Sequence, residues 1–313
     1  MSIKKYTWQI VFHIITLVIF TALFFVGTFY DETIAAAIYT PDNLPAIFIT
    51  TAGIYPFFAS AVLFMGTLTE RTIHSGLNKP LKVLFCCICA GLALYSGFEG
   101  SRSLLSVDCL GGVFPALNHN TPIAIAVSIV AAYPLFFLGY RLGAKSKDKL
   151  LAKKILGLVA IMLIALLSME VLKIIFSRPR YRIVVRGYEG IGFVPWYEPF
   201  SGAAGFIESF GLEKTDLHSF PSGHSVLSIS CVYILLSVVW LFPKLKKRVD
   251  LLLICGLTFG MIVMFTRMQL GAHYLSDVSA GAIIGTALSL IYVIIQHRIF
   301  MSRHPGLSRE KEY

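Results

Sequence analysis

The sequence predicts an all-α membrane protein, a polytopic helical bundle of about eight transmembrane helices. Three observations carry this expectation. Hydrophobic residues fill 56% of the 313 positions and charged residues only 14%, where a soluble chain would hold about 25% charge. Mean hydropathy is +0.75. Apolar runs of roughly the 17–25 residues that a bilayer requires recur along the chain.

The spans are placed at 8–29, 46–68, 82–98, 122–141, 154–176, 221–242, 250–267 and 277–298. Lys4 and Lys5 precede the first, as they would a signal peptide. The apolar run from Trp8 to Thr28 is too long for a typical signal core, so a retained span is expected. The third is the shortest and contains Gly91 and Gly97. Only two connections are long, 99–121 and 177–220.

The cations alternate between connections. Lys4 and Lys5, the loops 69–82, 141–154 and 243–249, and the tail with Arg298, Arg303, Arg309 and Lys311 together hold 19 of the 27 Lys and Arg residues. By the positive-inside rule these segments and both termini face the cytoplasm. The net charge of +10 is then a topology signal with affinity for anionic headgroups, and no nucleic-acid partner is expected. Five of the six cysteines lie in apolar runs, where a free thiol behaves as a small hydrophobe. Neither a zinc site nor a disulfide framework is supported.

Three polar islands end the apolar runs on the opposite, extracytoplasmic side: Lys173 with Arg178 and Arg180, Pro221-Ser222-Gly223-His224, and Arg267-x5-His273-x3-Asp277. Ionisable groups at a membrane boundary are unfavourable unless they serve a function. Arginine forks and a lysine point charge suit phosphate oxygens, although snorkelling to the interface is the plainer alternative. Pro221 suits a first helical turn, and a helix start offers N–H groups to an anion, with His224 able to deliver a proton. An ordinary N-cap with an incidental histidine is the blander alternative. If helical, His273 and Asp277 share a face. Asp277 can then accept from Nδ1–H and leave Nε2 as a nucleophile, or the two form a surface pair. Glu170 is expected to neutralise Lys173. His13, His74, His119, His218, His297 and His304 are read as structural or loop residues.

In this order, the motifs resemble the type 2 phosphatidic acid phosphatase (PAP2) family, whose core is shared with class A acid phosphatases and vanadium haloperoxidases. The family pattern is K-x6-R-P, P-S-G-H and S-R-x5-H-x3-D. This chain has Lys173-x6-Arg180-Tyr181, the intact Pro221 to His224, and Thr266-Arg267-x5-His273-x3-Asp277. The resemblance covers about 120–300, which divides the chain into an N-terminal region 1–120, a PAP2/haloperoxidase-like catalytic core 121–300 and a cytoplasmic tail 301–313. It implies metal-independent phosphoester hydrolysis without a cofactor, through a phosphohistidine. Lys173, Arg180, Ser222, Gly223 and Arg267 would bind phosphoryl oxygens, with Arg178-Pro179 offering a competing R-P pair. His273 would attack phosphorus, Asp277 would orient it, and His224 would protonate the leaving alkoxide and then activate water.

A site at the bilayer edge favours an amphiphilic lipid phosphate among the membrane lipids: phosphatidate, phosphatidylglycerol phosphate, an isoprenyl diphosphate or a lipid A phosphate. Tyr188, Phe193, Trp196, Tyr197, Phe200, Phe206 and Phe210 make loop 187–217 either a headgroup-facing gate or a packed lid. Two other functions stay open: a phosphotransferase using the same phosphohistidine, and a non-catalytic transporter or scaffold. Oligomeric state is not legible.

Overall fold

The three islands can form one site only if distant helix ends meet, and the computed structural model, which describes residues 3–198, 200 and 203–302, brings them together. The predicted tail cations Arg303, Arg309 and Lys311, with His304, lie outside the described residues. Within them the helices run in the order α1 (Ile3–Ile38), α2 (Leu44–Ala52), α3 (Tyr55–Ile73), α4 (Lys79–Leu104), α5 (Leu110–Val113), α6 (Thr121–Val127), α7 (Tyr133–Lys145), α8 (Leu151–Ile175), α9 (Tyr181–Val184), α10 (Ala203–Phe210), α11 (Gly223–Ile229), α12 (Cys231–Val238), α13 (Val249–Gln269) and α14 (Leu275–Ser302). No strand is present among the described residues, and Arg178 and His218 form an isolated β-bridge.

Seven segments are long and apolar enough to cross a membrane: Tyr6–Ile38, Leu44–Ile73, Lys79–Leu104, Thr121–Lys145, Leu151–Ile175, Pro243–Gln269 and Leu275–Ile299. They match seven of the eight expected spans. The first runs nine residues past its expected end at 29, so Asp31 and Glu32 are helical. The second is broken into α2 and α3 just ahead of Pro56, where proline suits the first turn of a new helix. The third is 26 residues long in spite of its glycines. The fourth includes a π turn, Ser128–Ala132, before Pro134.

The expected sixth span is the short one. The apolar helix Gly223–Val238 comprises α11 and α12 and measures about 24 Å at ~1.5 Å per residue, against a hydrocarbon core of about 30 Å. It divides at Ser230, whose hydroxyl donates to the Val226 carbonyl at 2.7 Å, a back-bond that bends helices. Its side chains are nearly all buried. This helix is surrounded by protein, and the hydroxyls of Ser228, Ser230 and Ser237 are hydrogen-bonded within the fold.

The large core joins α3, α8, α11, α12, α13 and the second half of α14 through Phe64, Leu158, Val226, Tyr233, Leu253 and Val293. Helix α1 lies along α14, where His13 Nε2 and the Ser289 hydroxyl are 2.6 Å apart. The outward faces carry exposed Phe29, Val130, Leu167 and Ile174. Such a surface is unfavourable in water and suited to lipid.

Candidate active site

Main-chain hydrogen bonds stitch the three islands together. Past the end of α8, the Arg178 N–H donates to Leu217 O at 2.7 Å, Ser219 N–H donates to Arg178 O at 3.0 Å, and Arg180 N–H donates to Asp216 O at 3.0 Å. The first island is thus laid against the approach to the second. The Ser222 N–H donates to Asp277 O at 3.0 Å, which fastens the second to the third. Arg182 N–H donates to Gly271 O at 2.9 Å and closes the ring. Gly271 has φ +61°, a left-handed value natural to glycine.

Lys173, Arg180, Gly223, His224 and His273 line one cavity of about 590 Å³. Its other wall is apolar, with Phe58, Leu166, Met169 and Leu227. Gly223 lets the helix start come close to the wall: a Cβ there would lie 2.4 Å from Met169 Sδ and 3.2 Å from Lys173 Nζ and would displace those flexible side chains. Glu170 Oε1 lies 3.5 Å from Lys173 Nζ, as expected of a neutralising partner. The Ser222 hydroxyl caps α11 by accepting the Ser225 N–H at 3.3 Å; its own hydrogen stays available as a donor.

Arg267 is fully buried behind the cavity. Four buried nitrogens at the site have no hydrogen-bond partner: Arg180 Nε, Arg267 Nε and Nη1, and His224 Nε2. The three arginine N–H donors are strongly unfavourable in this position unless something accepts from them, and an oxyanion meets that need.

His273 is buried, and Nδ1 donates to the Ser219 carbonyl at 2.7 Å. That tautomer leaves Nε2 with a free lone pair. Burial pushes the imidazole down to about 3; Asp277 opposes the shift, while Arg267 and Arg180 add to it. The sequence expectation of an Nδ1–H bond to Asp277 differs from the geometry. Asp277 Oδ2 is 3.8 Å away, beyond hydrogen-bond length. The cause is local: α14 begins at Leu275, so His273 sits in the turn before it and the pair is not held at helical i, i+4 spacing. Asp277 instead accepts from Arg178 Nη1 at 2.5 Å, from the Tyr274 N–H at 2.8 Å and from the Ser219 hydroxyl. It steadies the same Ser219 whose carbonyl holds the ring.

Arg178 belongs to the scaffold. It is fully buried, donates also to Asp31 at 2.9 Å and to Val194 O at 2.7 Å, and lies 4.0 Å from the Tyr274 ring centroid. Arg180 is the arginine that faces the cavity. The aromatic loop is mostly packed: Phe200, Phe206 and Phe210 stack in series, Trp196 stacks on Phe220, and Tyr197 alone of the seven is largely exposed. Pro199, Ser201 and Gly202 of this loop lie outside the described residues.

Sequence reasoning missed Asp31, Asp108, Arg182, Ser219 and Ser276. Asp31 was detectable as an acid in an apolar helix, had the first span been extended past 29. Asp108 sits in the 99–121 connection with no motif around it. Among the described residues, no group of three or more His, Cys, Asp or Glu side chains is arranged to hold a metal ion.

A multi-pass helical bundle with histidines and cations around one cavity at its helix ends is a membrane phosphoryl-handling protein in class. Residues 154–301, just under half of the chain, match the family model described as PAP2 superfamily. It is 28% identical over 243 residues to the lipid A 1-phosphatase of Rhizobium johnstonii, covering 74% of this chain and 88% of that one. It is 34% identical over 102 residues to the lipid A 1-phosphatase of Rhizobium etli, covering 33% of this chain and 35% of that one. No solved structure matches.

Proposed function

We propose that this protein removes the phosphate of an amphiphilic lipid by way of a phosphohistidine, without a metal ion. The observation that carries the reading is the set of unpartnered buried nitrogens on Arg180 and His224, which line one cavity with His273 and an apolar wall, and on Arg267 directly behind it. Lys173, Arg180, Arg267, Ser222 and the backbone at Gly223 receive the phosphoryl oxygens. His273 Nε2 attacks phosphorus and forms a P–N bond. The P–O bond to the alkoxide breaks, and His224 gives that oxygen its proton. Water then attacks phosphorus and loses a proton to His224; the P–N bond breaks and inorganic phosphate leaves. Fixed donors act most strongly where charge develops, in a site that excludes water. Asp277 acts on His273 through Ser219.

Both named relatives are lipid A 1-phosphatases, which favours a phosphate carried on a glycolipid headgroup over the other candidates. The partition of cations sets both termini in the cytoplasm and the site on the outer face. Counting the short buried helix Gly223–Val238 as a crossing, beside the seven long segments, supplies the even number that this arrangement needs. The test is phosphate release by the detergent-solubilised protein from lipid A, phosphatidate, phosphatidylglycerol phosphate and undecaprenyl diphosphate, each with and without EDTA. Release of inorganic phosphate from lipid A, undiminished by EDTA and with no acceptor added, is expected. Release only on adding an acceptor lipid would make the protein a transferase, and a magnesium-rescued loss in EDTA would reject the mechanism.

A further inference from the structure

The geometry points to Asp108 as a positioning residue that sets how Arg180 and Arg267 present themselves to the phosphoryl group. This rests on the phosphatase reading above. Asp108 lies outside the matched family segment, in the connection between α4 and α5. One carboxylate oxygen accepts from Arg180 Nη1 at 2.5 Å and from Arg267 Nη2 at 2.7 Å. The other accepts from Arg182 Nη1, and Arg182 Nη2 donates to Asp216 at 2.6 Å. Asp216 closes the frame, because its carbonyl accepts the Arg180 N–H at 3.0 Å.

Two features distinguish a brace from an internal competitor for the site. Asp108 uses one nitrogen of each arginine and leaves Arg180 Nε, Arg267 Nε and Arg267 Nη1 without partners. A carboxylate standing in for substrate would engage the free donors. Its outer oxygen is also tethered by the Arg182–Asp216 pair, so it is fixed from behind. Two buried guanidiniums, Arg180 and Arg267, and the partly buried Arg182 repel one another at this spacing. Burial pushes Arg180 down to about 10; Asp108 opposes the shift, while Arg182 and Arg267 deepen it. Burial alone would raise the Asp108 carboxyl, but the three arginines hold it well below the usual range. It stays ionised and keeps the cations together.

The test uses purified full-length protein, orthovanadate binding, and steady-state kinetics on an aryl phosphate. Asp108→Asn is expected to weaken vanadate binding and lower kcat/KM by about 10²-fold, the scale of an ångström misplacement, with the larger part of the change in KM. Asp108→Glu, which restores the charge, is expected to recover part of the loss. A merely structural role would lower the melting temperature without this KM-against-kcat split. If Asp108→Asn does not fold, Arg182→Gln removes the outer tether and is expected to shift vanadate affinity in the same direction. Unchanged or tighter vanadate binding in a folded variant would overturn the inference and make Asp108 a competitor or a bystander. Wild-type protein that neither binds vanadate nor releases phosphate would overturn the phosphatase reading itself, and this inference with it.

Discussion

Arg178 donates through Nη1 to Asp277 Oδ1 at 2.5 Å, and both side chains are buried. The same guanidinium reaches Asp31 of α1 at 2.9 Å, and Asp31 accepts the Ser276 N–H at 2.8 Å. An acid of the first helix and the acid of the third island therefore share one cation. Breaking such a buried set leaves a charge without a partner, which is strongly destabilising.

Replacing Arg178 by Leu is expected to destabilise the protein by about 3–5 kcal/mol and to abolish activity by releasing Asp277 and Ser219. Asp31→Asn keeps a hydrogen-bond acceptor at the site and should cost less. Thermal unfolding in detergent compares the two; an Arg178→Leu variant with the wild-type melting temperature would remove the network from the scaffold.

The two histidines should separate kinetically. His273→Ala is expected to lose the phosphoenzyme with every substrate. His224→Ala should still give a burst of alcohol from an aryl phosphate, whose leaving group needs little protonation. Its later hydrolysis should slow by about 10²–10⁴-fold, the usual worth of general acid–base help. Rapid-quench measurement reads both steps, and a burst in both variants would place the nucleophile elsewhere.

The pH dependence follows from His273. Its folded value of about 3 is below the ordinary 6.5. Between those values the unfolded chain binds a proton that the folded site excludes, so stability rises with pH through this window. The contribution of His273 is complete above 6.5 and declines as pH falls toward 3. Unfolding temperatures from pH 7 to 4 should therefore fall more steeply in wild type than in His273→Gln. Parallel slopes would contradict this assignment.

Orientation can be read from two exposed positions. A cysteine at Lys214 should react with an impermeant thiol reagent applied from outside intact cells, and one at Lys147 should not. Both side chains are on the surface of the fold, so access is decided by the membrane. Labelling of both from outside would defeat the proposed orientation.

Asp277 and Asn should differ in a graded way. Asp277→Asn loses the charge that binds Arg178 and keeps a group near Ser219, so its rate should fall while vanadate still binds. A complete loss of vanadate binding in a folded variant would mean that Asp277 contacts the ligand directly.

The sequence by itself determined the helical class, seven of the spans, the grouping of Lys173, His224 and His273, and the pairing of Lys173 with Glu170. These are legible because they depend on hydrophobic length, helix-start chemistry and short spacings, all local properties. Tertiary structure alone decided which of Arg178 and Arg180 faces the cavity, because two positions apart on an irregular segment the side chains can diverge. It alone moved the His273 acceptor from Asp277 to the Ser219 carbonyl, since the start of α14 at Leu275 sets that turn. It also brought Asp31 and Asp108 to the site from 246 and 159 positions away from Asp277 and Arg267 in the chain. Charge pairing across such separations leaves no periodic trace in a sequence. It exists only once packed helices hold the partners within a few ångströms, where low dielectric makes each unpaired charge unfavourable.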